Sequence, residues 1–198
     1  MAIQPLGGPG RIFLHPGDCE ISRDSITLST LLGSCVSVCL YDPVNRVFGM
    51  NHFLLANRRY ARDIPVIASD VGRYGIHAME LLINKMLRAG ADRRKFMAKA
   101  FGGGNVLGTT AGRDNFLCVG SVNVRFVKEF LSNEGIPLVA ADLGGHWGRQ
   151  IHFSGEDYAV YVRRIQTRPD DELVKEEREF WRHSMDEQEH ASAQADFW

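Results

Sequence analysis

The residues with the most chemical potential lie in one short stretch, where Cys35 and His52 flank a strand–turn–strand pattern. Val36, Val38 and Leu40 alternate with Cys35, Ser37 and Cys39, the period of two that marks a half-buried strand. Asp42-Pro43 suits the first two positions of a type I turn, because Asp accepts from the turn backbone and Pro presets φ. Taking Asp42 to Asn45 as a four-residue loop sets Tyr41 opposite Arg46. Counting back then sets Cys39 opposite Phe48, Ser37 opposite Met50 and Cys35 opposite His52. Directly opposed residues have Cβ atoms roughly 4.5–5.5 Å apart, which brings a thiol within reach of an imidazole. A thiol beside a base is what a cysteine nucleophile requires. The competing reading is structural: free cysteines pack as small hydrophobes, and His52 would be a core histidine.

The neighbours of the pair favour chemistry. Gly33-Ser34 leaves the backbone free to bend, so that Cys35 is exposed and N–H groups of Gly33, Ser34 and Cys35 can face an oxyanion. A hydroxyl or carbonyl of Ser29 or Thr30, just upstream, is available to orient the imidazole. Gly102-Gly103-Gly104-Asn105 lacks the Lys-Ser/Thr pair of a phosphate loop and reads as a tight turn near the site. There Gly103 and Gly104 would let a substrate side chain approach the backbone. His146 and His152 have no carboxylate at a metal-binding spacing, so neither a metal nor a cofactor is expected.

Leu32-Gly33-Ser34-Cys35-Val36, Cys39-Leu40-Tyr41-Asp42-Pro43 and Gly49-Met50-Asn51-His52 closely resemble the CheD family, the chemoreceptor glutamine deamidases of bacterial chemotaxis. His15-Pro16-Gly17-Asp18, Phe101 to Asn105, Gly120 to Asn123 with Lys128 to Leu131, and Ala141 to Gly145 extend the resemblance from about Leu14 to Ile165. The resemblance implies a Cys35 nucleophile, a His52 base and a threonine that orients the histidine. By spacing from the cysteine, that third position falls on Ser29, a departure that keeps the hydroxyl and loses the methyl. Val122 is a second departure, at a position where the family often carries Arg. The implied fold is an α/β/β sandwich similar to the catalytic domain of cytotoxic necrotizing factor. The implied substrates are glutamines on the cytoplasmic helices of methyl-accepting chemotaxis receptors, with a CheC-type phosphatase as a further partner. The alternative is a non-catalytic regulatory module that docks on receptor or phosphatase. A Cys35–Cys39 redox switch is disfavoured, because residues four apart on a strand are about 13 Å apart.

The elements that must position this pair are readable in outline. Ile12 to Leu14 and Ser25 to Thr30 are strand candidates. Ser69 or Asp70 caps a helix that carries Tyr74, His77 or Ala78, Leu81, Leu82 and Met86 and stops at Gly90. A strand over Phe96 to Ala100 precedes the glycine turn. A second helix over about Val122 to Asn133 presents Val124, Val127, Phe130 and Leu131, and Gly135 ends it. Ile136 to Leu143 reads as a buried strand, and Arg149 to Phe153 with Ala159 to Ile165 as a hairpin. The expected class is α/β with α+β character: a layered α/β/β sandwich of mainly antiparallel sheets with two covering helices.

The 198 residues suffice for one domain with a full core, and four cysteines without a CxxC pair suggest neither a disulfide framework nor a zinc ribbon. No signal peptide or long apolar run is present, so a cytoplasmic location and no membrane insertion are expected. The chain is expected to divide into a domain over residues 1–168, with 1–11 as a loose arm, and an acidic, helix-prone tail over 169–198. The tail carries a net charge of −7 and the remainder about +6, too little and too scattered for nucleic acid. Arg58, Arg59, Tyr60 and Arg62 form a solvated loop or a patch for an acidic partner. The tail, outside the resemblance, is expected to contribute nothing to the chemistry.

Overall fold

A computed structural model describes residues 10–55, 65–106, 119–166, 171–173 and 175–183, with Asp70 and Val71 as backbone only. The expectations for most of the 1–11 arm, for Arg58 to Arg62 and for the end of the tail lie outside these residues. Nine strands are described: β1 (Arg11–Leu14), β2 (Cys19–Ser22), β3 (Thr27–Leu32), β4 (Val36–Asp42), β5 (Val47–Asn51), β6 (Met97–Gly102), β7 (Leu138–Leu143), β8 (Gly148–Ser154) and β9 (Val160–Ile165). Two long helices, α1 (Asp70–Arg88) and α2 (Val119–Asn133), join them. Residues 172–173 and 175–183 are also helical.

The strands form two sheets, β1-β3-β8-β9 and β2-β5-β4-β6-β7. Only β1–β3 and β6–β7 are parallel among their pairings. One core, with Val36, Val38, Leu40, Met79, Phe126 and Phe130, lies between the helices and the five-stranded sheet. The other, with Cys35, Cys39, Met50, Leu28 and Ile151, lies between the two sheets. The layers are therefore helix, sheet, sheet, the expected α/β/β sandwich.

The middle layer explains why β4 is buried on both faces. Its Val–Cys alternation separates two cores rather than core from solvent. Val36, Val38 and Leu40 face the helices, and Cys35, Cys39 and Tyr41 face the other sheet. Conversely β7, expected to be buried, is an edge strand, and Val139 is exposed there.

The hairpin register differs from the expected one by two residues: Cys39 pairs with Met50 and Asp42 with Val47. Asp42 is the last residue of β4, and the loop closes at Arg46, which adopts a left-handed φ of 54°. A shift of two, unlike a shift of one, leaves every side chain on its face. Cys35 and His52 thus become diagonal neighbours on the inter-sheet face instead of a directly opposed pair.

Helix α1 begins where expected: the Ser69 side chain accepts from Gly72 N at 3.2 Å. Its buried stripe is Met79, Leu82, Ile83 and Met86, whereas Tyr74 and Leu81 are exposed. The rotation follows from Gly75. A Cβ there would lie 2.4 Å from the Phe126 ring, so α2 packs on the glycine face of α1. Gly75 is the contact point between the helices.

Asp42 holds the hairpin loop. Its carboxylate accepts from Val44 N at 2.9 Å, Asn45 N at 3.0 Å, Asn45 Nδ2 at 2.7 Å and Asp92 N at 2.7 Å. Burial alone would raise its pKa, but these bonds outweigh it and hold the carboxyl below its ordinary value. Asp42→Ala is expected to cost about 2–3 kcal/mol in urea unfolding at neutral pH. Because the folded pKa is depressed, the Asp42 contribution is complete above the unfolded value of about 4 and fades as pH falls through the folded one. The gap between wild type and Asp42→Ala should therefore narrow on acidification.

Candidate active site

The backbone of Gly33, Ser34 and Cys35, just before β4, is tied by its carbonyls. Gly103 N donates to Cys35 O and Gly104 N to Gly33 O, both at 2.7 Å. Asn123 Nδ2, from α2, donates to Ser34 O at 2.8 Å. The same asparagine accepts from Leu55 N at 2.8 Å, which ties the loop to the segment after His52. With all three carbonyls engaged, the three N–H groups converge on one point, an anion-binding concavity of consecutive amides.

The point is filled by Glu177. Its Oε1 accepts from Gly33 N at 2.7 Å and Cys35 N at 3.1 Å. Its Oε2 accepts from Ser34 N and Ser34 Oγ, each at 2.7 Å. The carboxylate, His52 and the Cys35 thiol have ligand atoms within 4.8 Å of one another, and all three residues are buried. Those atoms are close enough to share a metal ion. However, both Glu177 oxygens already receive N–H and O–H hydrogens, the pattern of an anion site rather than a cation site.

His52 follows β5, held by His52 N donating to Asp18 O at 2.9 Å and Gly17 N donating to His52 O at 2.8 Å. Its ring spans the space between the sheets to Thr30 of β3, with Nδ1 2.8 Å from Thr30 Oγ1. Thr30 Oγ1 donates its own hydrogen to Leu14 O at 2.7 Å. The hydroxyl must therefore accept from the ring, which places the imidazole hydrogen on Nδ1. Nε2 is left as the basic nitrogen, and it is buried without a hydrogen-bond partner among the described residues.

The assignment of the orienting hydroxyl to Ser29 is corrected by this geometry. Adjacent strand residues point to opposite faces. Ser29 pairs across the sheet with His152, and its Oγ lies 2.8 Å from His152 Nδ1, away from His52. Gly103 and Gly104 are also placed differently from the expectation. A Cβ at Gly104 would lie 2.7 Å from Trp147 O, and one at Gly103 would lie 2.4 Å from Val124. They face neighbouring protein and anchor the Cys35 loop from behind. Gly33, Ser34 and Cys35 do present their N–H groups to the site. Sequence reading left out Asn123 and Glu177. The first lies within the Gly120 to Asn123 motif but was absent from the apolar stripe. The second is one of ten acidic residues in the tail, with no local signal to single it out.

Burial governs the electrostatics. It pushes the Cys35 thiol well above its ordinary pKa, and the Glu177 charge pushes further in the same direction. Burial, with a smaller contribution from His15, pushes His52 down to about 3. Both groups are neutral in this arrangement.

The family model described as CheD chemotactic sensory transduction matches residues 56–164. A protein named probable chemoreceptor glutamine deamidase CheD 1, from Geobacter sulfurreducens, is 48% identical over 198 residues, covering 100% of this chain and 98% of that one. The chain belongs to the CheD family. Another relative, probable chemoreceptor glutamine deamidase CheD 2 from Shewanella oneidensis, is 47% identical over 158 residues, covering 78% of this chain and 77% of that one. Among solved structures, Bacillus licheniformis hypothetical protein YfiH aligns with a TM-score of 0.37 at 17% identity, over 63% of this chain and 50% of that one. No helix among the described residues is long and apolar enough to cross a membrane.

Two measurements check the orientation of His52. Nitrogen-detected NMR at pH 6 should show a neutral ring protonated on Nδ1; an imidazolium signal would contradict it. Thr30→Ala should lower turnover by about 5–30-fold, the worth of a hydrogen bond of about 1–2 kcal/mol, while Thr30→Ser retains most of it. Ser29→Ala should be nearly silent in the same assay.

Proposed function

We propose that this chain hydrolyses the side-chain amide of specific glutamines on methyl-accepting chemotaxis receptors, leaving glutamate, with Cys35 as nucleophile. The observation that carries the reading is the bond from His52 Nδ1 to Thr30 at 2.8 Å, which aims the free Nε2 into the site shared with Cys35. A nucleophile, an oriented base and an anion-binding backbone are the three parts that acyl transfer needs.

In this reading His52 Nε2 takes the thiol proton as Cys35 Sγ bonds to the amide carbon. The negative charge that develops on the amide oxygen is met by N–H groups of Gly33 to Cys35. His52 then gives its proton to the departing ammonia, which leaves a thioester on Cys35. Water, deprotonated by the same Nε2, attacks the thioester and restores the thiol. Thr30 keeps the ring in one tautomer throughout. The chain would act in the cytoplasm, on the helical cytoplasmic portion of its receptors. A CheC-type phosphatase is the further partner that the family resemblance supplies.

Incubation of the full chain with receptor cytoplasmic fragments should raise the mass of particular glutamine peptides by about 1 Da per site, with ammonia released. Cys35→Ala should abolish this, and His52→Ala should slow it at least about 100-fold. Wild-type turnover in Cys35→Ala would refute the mechanism. Tight receptor binding without any mass shift would mark a regulatory docking module instead.

A further inference from the structure

Glu177 ends in the functional group that glutamine deamidation creates, and it occupies the place where that group would be made. Its carboxylate receives three backbone N–H groups and one hydroxyl beside Cys35 and His52. These donors are neutral dipoles, and burial of a carboxylate is costly without such partners. The seat is also shaped for it. A Cβ at Gly33 would lie 2.6 Å from Glu177 Oε2, so a side chain there would expel the carboxylate.

The segment that carries Glu177 is anchored at several points around the site. Leu173 and Trp181 are buried, and Trp181 and Phe180 pack with the inter-sheet core. Phe180 also approaches the Gly17 turn, and Glu176 Oε1 lies 2.9 Å from His15 Nδ1. The flanking Glu176 and Glu179 are exposed, whereas Glu177 is buried. Docking of the segment thus brings one acidic residue, Glu177, into the site.

We propose that this C-terminal helical segment is an internal occupant of the active site, with Glu177 in the position of the product glutamate, so that turnover on a substrate requires the segment to leave. The proposal rests on the deamidase reading. It implies that an amide placed on the same side chain is itself a substrate. Cys35 Sγ would bond to its Cδ, ammonia would leave with a proton delivered by His52, and water would release the carboxylate and restore the thiol. One water is consumed and one ammonia formed, with no redox change.

The test uses the full chain carrying Glu177→Gln, alone and combined with Cys35→Ala, followed by peptide mass spectrometry. The introduced amide should gain about 1 Da in the single variant and persist in the double variant. Gln188 and Gln194, in the same tail, serve as unchanged references. In parallel, iodoacetamide labelling of Cys35 should be at least about tenfold faster in Glu177→Ala and in Leu173→Ala than in wild type. The second variant keeps the carboxylate and loosens only the anchor; Cys19 and Cys39 report on general unfolding. An unconverted amide in a chain that still deamidates receptor fragments overturns the product assignment. Labelling of both variants at the wild-type rate overturns the occlusion. If neither the introduced amide nor any receptor fragment loses ammonia, the deamidase reading fails, and the labelling rates alone decide the occlusion.

Discussion

The site depends on one constraint: three consecutive peptide groups, Gly33 to Cys35, have their carbonyls fastened on one side and their N–H groups free on the other. The fasteners come from different parts of the fold. Gly103 and Gly104 follow β6, and Asn123 projects from α2. Each would be an unsatisfied buried polar group without the others, so the arrangement forms together or not at all. Carbonyls held in this way cannot rotate toward the site, and the concavity stays attractive to negative charge whether it holds a carboxylate or a developing oxyanion.

The Cys35–His52 pair depends on a second long-range arrangement, the packing of one sheet on the other. His52 belongs to the five-stranded sheet's hairpin and Thr30 to the four-stranded sheet. Their 2.8 Å bond spans the inter-sheet core. Packing of that core by Leu28, Met50 and Ile151 thus fixes a tautomer as well as a fold. The same burial that orders the ring also suppresses charge on both partners. In a sealed site Cys35 and His52 remain thiol and neutral imidazole. An ion pair becomes accessible when the carboxylate leaves and water or a polar substrate enters, because both the like charge and the desolvation then diminish.

Much of the site was legible from local pattern. Cys35 and His52 were found by strand alternation around a turn, and the error of two residues in register did no harm because it preserved face. The helices were legible from caps and stops, Ser69 and Gly90 for one and Gly135 for the other. Burial faces were less so. At Gly75 of α1 only the Phe126 ring lying on it shows why a larger residue is excluded. The strand β7 looked buried because its composition is apolar, yet its position at a sheet edge leaves it half in solvent.

By itself the sequence determined the α/β/β class, most of the elements in their order, the closeness of Cys35 to His52, and membership of the CheD family. These follow from periodicity and from short motifs, which are properties of neighbouring residues. The tertiary structure decided between Ser29 and Thr30, since two adjacent hydroxyls differ only in which side of β3 they face, and that depends on which side the second sheet covers. It also decided that Glu177, 142 residues beyond Cys35, fills the site. A single carboxylate among many in an acidic helix has no distinguishing local signal. What selects it is the docking of Leu173 and Trp181 onto the domain, a contact between distant parts of the chain that local spacing does not encode.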